Sequence, residues 1–164
     1  MAKPLLQRLQ AKIGANRFLK LMAAYPPYLG AGVTLDRIEG EVDVIVVKLR
    51  LNALNRNFMG TQFGGSLYAM CDPWFMFLLR LKLGEPFVVW DKAATIRFLK
   101  PGKTAVRARF EISEAQLASI REGLARVGKV EPHFTVDVID ENGVVVAQVD
   151  KVLHAHDPRM KPKK

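Results

Sequence analysis

The chain has 164 residues, of which 49% are apolar and 25% charged, a composition that excludes a disordered protein and predicts one globular domain. Its single cysteine excludes an internal disulfide bond and predicts a reducing, cytoplasmic location. The net charge of +9 would suit an anionic partner, but the sequence carries no nucleic-acid-binding motif and no dense basic run before its C-terminal tail, so we predict no nucleic-acid partner.

The N-terminal region, residues 1–27, is predicted to contain an amphipathic basic helix. Leu5, Leu9 and Ile13 recur at helical spacing. Lysine and arginine residues interrupt the apolar run that a signal peptide would need. Two consecutive prolines end this helical region, because proline cannot continue a helix. We expect the helix to pack on the domain or on a partner subunit.

Two strands are predicted next, over residues 33–38 and 42–49. After a loop rich in asparagine, residues 64–83 are predicted to form a nearly all-apolar helix. Its most apolar stretch is shorter than the ~20 residues that a membrane span needs, and it contains Asp72 and Pro73. We therefore predict a buried helix and no membrane span.

Four more strands are predicted over residues 87–98, 104–112, 133–139 and 144–154. Between the second and third of these, Ser113 and Gln116 form the signature of a capping box, which predicts an added helix. Asn142-Gly143 predicts a tight hairpin between the last two strands.

This order of elements predicts an α+β fold, in which a curved, mostly antiparallel sheet wraps around one long central helix. The central helix has no polar face, so it has to be buried on nearly all sides. We divide the chain into an N-terminal helical region (1–27), the main domain (28–157) and a basic tail (158–164).

Asp72 is the one acidic residue of the predicted central helix. An unpaired carboxylate in apolar surroundings costs several kcal/mol or shifts its pKa, so its presence indicates a functional pocket. Two structural alternatives are an ion pair with a lysine or arginine, and a polar seam between subunits. Cys71 lies about 100° around the helix from Asp72, and Ser66 has no base near it in sequence, so neither is a favoured nucleophile.

The central helix begins in a glycine-rich segment, Gly60-Thr61-Gln62-Phe63-Gly64-Gly65. Paired glycines allow a ligand to approach the exposed backbone N–H groups of a helix start, and these donors suit a negatively charged oxygen. The alternative is a tight turn that needs glycine for its backbone angles. The spacing matches neither a phosphate loop nor a dinucleotide-binding fingerprint.

The segment from Asn57 to Gly65, followed by Asp72, resembles the signature of the hotdog-fold acyl-CoA thioesterases, especially a thioesterase-like branch of the phenylacetyl-CoA type. That signature reads Asn-x-x-Gly-Thr-x-His-Gly-Gly, with an aspartate seven residues after the second glycine. Residues 97–102, with the sequence RFLKPG, are similar to a strand of that family that ends in an aromatic residue and a proline. The chain departs from the signature at Phe63, where the family has histidine, and in the proline that follows the aspartate.

The resemblance implies a hotdog fold and the hydrolysis of an acyl-CoA thioester by a homodimer or homotetramer, with no cofactor besides the CoA of the substrate. Asp72 would be the general base or the nucleophile. The amide of Gly64 or Gly65 would polarise the thioester carbonyl. Asn57 would help to position the substrate or the water. The missing histidine leaves a changed acyl preference or a loss of activity open.

Further contacts to the substrate are expected from Gln62, Phe63, Asp91, Arg97, Lys100 and Lys103. The three cations lie near one strand end and could meet the CoA phosphates, a solvated face being the alternative. Asp91 could support the site from the sheet or simply pair with a cation. His154 and His156 share a strand face without a third ligand nearby, so no metal site is predicted.

On one continuous helix, Gly64 and Asp72 would lie roughly 12 Å apart along the axis. One carbonyl carbon could not then contact both groups, so we hypothesise that each site takes its glycine from one subunit and its aspartate from another. Two other functions remain open, a non-catalytic hotdog protein that binds acyl-CoA or lipid and a hotdog dehydratase. The dehydratase is disfavoured because no histidine precedes Glu131.

Overall fold

The structure, a computed structural model, describes residues 13–22 and 24–160 of the chain. Most of the predicted N-terminal helix and the last four residues of the predicted tail lie outside these ranges. The helices are α1 (Ala15–Met22), α2 (Pro26–Ala31), α3 (Gly64–Ala69), α4 (Trp74–Leu83) and α5 (Glu114–Val127). The strands are β1 (Val33–Glu39), β2 (Val44–Leu49), β3 (Val88–Phe98), β4 (Val106–Glu111), β5 (Lys129–Val130), β6 (His133–Asp140) and β7 (Val145–His156).

The strands form a single sheet in the order β1-β2-β4-β6-β7-β3, and β5 pairs with β7 beside that path. Every pairing is antiparallel. All six predicted strands are confirmed, and the capping box of Ser113 and Gln116 begins α5 as predicted. Strand β5 was not predicted, because two residues are too few to give a hydrophobic pattern. Helix α2 was not predicted either, and it begins at Pro26 because the first helical turn does not need the N–H that proline lacks.

The central helix packs against the concave side of the sheet and forms the core. In α4, Trp74, Leu78 and Leu79 are fully buried. Phe75 packs edge-on against Phe110 of β4 and stacks on Phe134 of β6, with ring centroids 5.1 and 4.8 Å apart. The predicted wrapping of the sheet around an apolar helix is therefore confirmed.

The central helix is interrupted at residues 70–73, which separate α3 from α4. Pro73 has no N–H with which to continue the α3 ladder. The carbonyl of Met70 accepts a hydrogen bond from the Trp74 indole at 2.9 Å, and the carbonyl of Asp72 accepts one from the Tyr28 hydroxyl. The sequence predicts one long helix with a local kink at Pro73, whereas the structure interrupts the helix over four residues. The ~12 Å separation of Gly64 and Asp72 along a common axis therefore no longer applies.

Strand β3 lies at one edge of the sheet and pairs only with β7 among the described strands. It is 11 residues long, and most of its residues are exposed. A bulge between Asp91 and Ala93 shifts its register against β7. In the described part of the chain, no helix is both long and apolar enough to cross a membrane.

Candidate active site

Lys151 lies in the middle of β7 on the face that covers the central helix. Residues alternate between the two faces of a strand, and the buried neighbours Val149 and Leu153 point the same way as Lys151. The Lys151 side chain is 0% exposed. A buried ammonium group is costly unless it is paired, so its partners identify the polar centre of the molecule.

Two carboxylates meet this ammonium group, one from the interrupted helix and one from the edge strand. The Nζ of Lys151 donates a hydrogen bond to Oδ1 of Asp72 at 2.6 Å and lies 2.8 Å from Oδ1 of Asp91. It also lies 5.5 Å from the centre of the Tyr68 ring. We call Asp72, Asp91 and Lys151 the inner cluster.

Charge and burial compete within the inner cluster. Burial raises the pKa of Asp91, although the nearby Lys151 acts in the opposite direction. Burial alone would lower the pKa of Lys151, but its two carboxylate partners outweigh that effect and raise it. Burial also raises the pKa of the Tyr28 hydroxyl and brings the pKa of the Cys71 thiol to about 12. The lysine therefore stays an ammonium group at neutral pH, and the thiol stays protonated.

The exposure of the three side chains is uneven. Asp91 is 25% exposed and Asp72 is 43% exposed, whereas Lys151 is sealed from solvent. The 2.6 Å contact with Lys151 shows that one of the two structural alternatives for Asp72, an ion pair with a lysine, is present. This pair occupies one carboxylate oxygen and leaves the group half in solvent, where a small molecule can reach it.

Aromatic rings lie against both glycines at the start of α3. A Cβ atom added to Gly64 would lie 2.9 Å from the Phe98 ring, and one added to Gly65 would lie 2.5 Å from the Phe63 ring. Both rings are more than half exposed. A side chain at either position would have to displace a ring, and the two rings form apolar walls beside the first turn of α3.

The side chain of Asn57 orders the loop in front of α3. Its amide donates to Thr61 Oγ1 at 2.9 Å and to the carbonyl of Gln62 at 3.2 Å. Its oxygen accepts from the backbone N–H groups of Met59 and Thr61, each at 3.0 Å. The contacts of Asn57 in this structure are therefore with its own loop.

A cavity of about 700 Å³ opens beside Gly64 and is lined by Asn57, Gln62, Lys100 and Lys103, among others. Gln62 is buried, and its amide donates to the carbonyl of Thr104 at 3.0 Å. Within residues 13–22 and 24–160, neither lysine of this cavity pairs with a carboxylate. The first residue of α3, Gly64, therefore lines the same cavity as the two lysines.

A smaller cavity of about 410 Å³ lies on the other side of the helix start, where Phe63, Gly65, Ser66 and Arg56 contribute to its lining. Asp72 lines neither of the two cavities. Within one chain, Gly64 and Gly65 therefore each line one of these two cavities, and Asp72 lines neither.

Arg97 lies on the outer face of the sheet, away from the inner cluster. Its guanidinium donates to Oδ2 of Asp150 at 2.5 Å and to Oε1 of Gln148 at 2.6 Å. His154 is also on this face, stacked on the Trp90 ring with centroids 5.0 Å apart. In the described ranges, no group of three or more histidine, cysteine, aspartate or glutamate side chains is arranged to hold a metal ion.

The sequence pointed to Asp72 and Asp91 but missed Lys151, Tyr28 and Tyr68. Lys151 carried a usable signal, since it stands between Val149 and Leu153 at the alternate positions that face the core. Tyr28 carried none, because its contact with Asp72 joins residues 44 apart in the chain.

Several solved structures share this architecture across most of their length. A protein of unknown function from Pseudomonas aeruginosa, called a probable thioesterase, superposes with a TM-score of 0.71 at 20% identity, covering 95% of this chain and 97% of that one. A thioesterase from Haemophilus influenzae superposes with a TM-score of 0.64 at 15% identity, covering 88% of this chain and 92% of that one. A mutant phenylacetic acid degradation protein from Thermus thermophilus superposes with a TM-score of 0.53 at 20% identity, covering 79% of this chain and 97% of that one. These likenesses confirm the hotdog fold.

No curated protein is significantly similar to this chain in sequence. The profile of one family, described as a domain of unknown function, DUF4442, matches residues 14–154. That range contains the glycine-rich segment, the central helix and all three side chains of the inner cluster. Because the match spans most of the sequence, this chain belongs to the DUF4442 family.

Proposed function

We propose that the protein hydrolyses an acyl-CoA thioester to a free acid and CoA, with Asp72 as its catalytic carboxylate. The observation that carries this proposal is the half-exposed carboxylate of Asp72, held at the interruption of an apolar helix by a fully buried lysine. An ion pair formed only for stability does not need an accessible carboxylate, whereas a catalytic base has to reach its substrate. The thioesterases among the solved structures of this fold support the same reaction class.

The reaction needs one free oxygen of Asp72. As a general base, it would accept a proton from water while that water attacks the thioester carbonyl carbon. The C–S bond then breaks, and CoA leaves as a thiolate that takes up the proton from the aspartic acid. As a nucleophile, the same oxygen would attack the carbonyl carbon, and the C–S bond would break to release CoA as a thiolate that takes a proton from solvent. Water would then hydrolyse the acyl-aspartyl anhydride to the free acid and the aspartate.

The backbone N–H groups of Gly64 and Gly65 are our candidates for polarising the carbonyl oxygen. They belong to the first turn of α3, where N–H groups have no partner within the helix. Because α3 has only six residues, its dipole is small, and individual hydrogen bonds would supply most of the stabilisation.

Lys100 and Lys103 are proposed to bind the phosphate groups of CoA. They line the same 700 Å³ cavity as Gly64, and ammonium groups form strong charge-assisted hydrogen bonds with phosphate. Asn57 and Gln62 would act by fixing the loop that forms the cavity wall. Phe63 and Phe98 offer exposed apolar surface to the acyl group.

We further propose that the active unit is a homodimer with sites shared between subunits. The long exposed edge of β3 leaves backbone N–H and C=O groups unpaired, and such an edge pairs readily with a second copy. The separation of Asp72 from both glycine-lined cavities within one chain supports a shared site.

A subunit-mixing experiment tests the shared site. Asp72→Ala removes the carboxylate. Gly64→Pro removes one N–H group at the first helical position, where the backbone accepts proline but the added carbons have to displace the Phe98 ring. Random pairing makes half of the dimers mixed, and each mixed dimer has one intact site of two, so co-expression should recover about a quarter of wild-type activity. If the site lies within one subunit, the mixture stays as inactive as either variant alone.

A second candidate function, non-catalytic binding of acyl-CoA or lipid, is favoured by one observation. Oδ1 of Asp72 is already engaged by Lys151, as it would be in a purely structural ion pair. Turnover separates the two functions, because a binding protein retains affinity for acyl-CoA but releases no CoA.

The decisive experiment is steady-state hydrolysis across a panel of acyl-CoA chain lengths, with detection of the free thiol. We expect Asp72→Ala and Asp72→Asn to lower kcat by at least ~10²-fold while acyl-CoA binding changes little. Asp137→Ala, on the outer face of β6, is the matched control and should retain activity. A wild-type protein that binds acyl-CoA without hydrolysing any member of the panel would establish the binding function instead.

A further inference from the structure

Lys151 is the most buried charge in the described part of the chain and has no role yet in the reaction. Its Nζ atom is bounded by Asp72 at 2.6 Å, by Asp91 at 2.8 Å and by the face of the Tyr68 ring at 5.5 Å. These contacts come from the interruption of the central helix, from β3 and from α3. The ammonium group is therefore held from three directions and has little freedom to move.

Stability alone does not explain a lysine at this position. Buried ion pairs can often be replaced by apolar residues of similar volume without loss of stability, because desolvation offsets the electrostatic attraction. The neighbours of Lys151 on the same face are Val149 and Leu153, so an apolar residue would continue the pattern.

Asp72 is held through both its side chain and its main chain. Oδ1 accepts the hydrogen bond from Lys151 at 2.6 Å. The neighbouring Asp91 carboxyl also interacts with the Asp72 side chain, and this contact contributes to the raised pKa of Asp91. The backbone of Asp72 is fixed as well, because the Tyr28 hydroxyl donates to its carbonyl. The main chain and Oδ1 of Asp72 are thus anchored, while the carboxylate as a whole remains half exposed and within reach of a small molecule.

We propose that Lys151 is a positioning residue that orients Asp72 for hydrolysis, and that Asp91 anchors Lys151 in turn. This inference rests on the proposed thioesterase function. Lys151 does not contact the reacting atoms itself, and it acts by aiming the carboxylate of Asp72. Asp91 supplies the second negative charge, so that the lysine does not depend on Asp72 to remain in place.

The charge balance of the inner cluster is consistent with this role. One ammonium group faces two carboxylates, so the ionised cluster carries one net negative charge. The other titratable side chains that face it are Tyr28, Tyr68 and Cys71, and burial holds the first and third of these protonated by raising the pKa of each. In this proposal Asp91 balances the charge of Lys151, and the Asp72 carboxylate keeps the negative charge with which it accepts a proton from water.

The test is steady-state kinetics of Lys151→Met and Lys151→Arg, with urea unfolding of each variant to establish the folded fraction. Methionine keeps most of the length of the side chain without its charge, and arginine keeps the charge. We expect Lys151→Met to lower kcat by about 10- to 100-fold with KM within about twofold of wild type, since misplacement of a catalytic group acts on turnover. Lys151→Arg should recover most of the lost kcat. Lys92→Met, on an exposed outer pair, is the matched control and should keep wild-type kcat.

The outcomes separate this inference from the proposed function. If wild type is active and Asp72→Ala is not, but folded Lys151→Met retains wild-type kcat or changes only KM, positioning by Lys151 is overturned alone. A wild-type protein without activity overturns both. Should Lys151→Met not fold, Lys151→Met/Asp91→Asn carries the same test, because it removes the uncompensated carboxylate together with the lysine.

Discussion

Asp150 and Lys151 are adjacent in β7, yet they belong to ion-pair clusters on opposite faces of the sheet. The inner cluster has a lysine that is 0% exposed between two aspartates. On the outer face, Arg97 and Asp150 are 47% and 38% exposed, and Thr135 adds a hydrogen bond to Asp150 at 2.7 Å. The pleat of one strand thus places similar chemical groups in very different dielectric surroundings.

This difference predicts which ion pairs contribute most to the stability of the protein. Solvent and salt screen the outer pair of Arg97 and Asp150, whose attraction is largely offset by the entropy of ordering the two side chains. The inner cluster is not screened in this way, so removing one of its charged groups leaves an opposite charge without compensation in the interior. The comparison yields three measurements, ordered by the size of the expected effect.

The largest effect is expected for Lys151→Met. We expect the free energy of unfolding to fall by roughly 2–4 kcal/mol, somewhat less than for a fully buried pair because Asp72 is partly exposed. Urea unfolding monitored by tryptophan fluorescence measures this loss. The same substitution at Lys92, whose ammonium group lies 2.6 Å from exposed Glu131, should cause a loss below about 1 kcal/mol. Equal losses in the two variants would show that burial does not distinguish the faces.

The second prediction is that Asp91 and Asp150 change the stability of the protein in opposite directions as the pH rises. Burial raises the pKa of Asp91, so its ionisation opposes folding, and the stability of wild type relative to Asp91→Asn should fall as the pH rises from about 3 to about 7. The hydrogen bond from Arg97 lowers the pKa of Asp150, so its ionisation favours folding. The stability of wild type relative to Asp150→Asn should therefore rise over the same range.

Urea unfolding of the three proteins at several pH values gives both slopes. Lys151 titrates above its ordinary pKa of 10.5 and does not contribute in this window. Slopes of the same sign for Asp91→Asn and Asp150→Asn would contradict the assignment of the two aspartates to different environments.

The fold was largely predictable because its signals are local. Alternation of apolar residues marks the strands, Asn142-Gly143 marks the hairpin between β6 and β7, and Ser113 with Gln116 marks the start of α5. The bounds of these elements were predicted to within a few residues. Pro73 indicates a kink, and the Ala69 carbonyl that it frees accepts from the nearby Asp72 N–H at 3.2 Å. The Tyr28 hydroxyl that binds the Asp72 carbonyl is distant in the chain, and only the three-dimensional structure reveals that donor.

The site was predictable only in part, because its decisive contact is not local. Asp72 stood out as the acid of an apolar helix, but its partner Lys151 lies 79 residues further along the chain. Arg97 and Lys100 looked alike in sequence as cations near one strand end. The structure separates them, because the pleat directs Arg97 to Asp150 on the outer face whereas Lys100 lines the large cavity.

The smallest effect is expected for Arg97→Ala, which removes the cation of the outer pair. We expect a loss of about 0.2–1 kcal/mol in the free energy of unfolding at low ionic strength, because both partners are substantially exposed. The loss should shrink when unfolding is repeated at about 1 M salt, where the Debye length is only about 3 Å. The loss for Lys151→Met should hardly change with salt, because its ammonium group has no exposed surface. If the Arg97→Ala loss is as insensitive to salt as that of Lys151→Met, the outer pair is as well shielded from solvent as the inner cluster, and the contrast between the two faces of β7 does not hold.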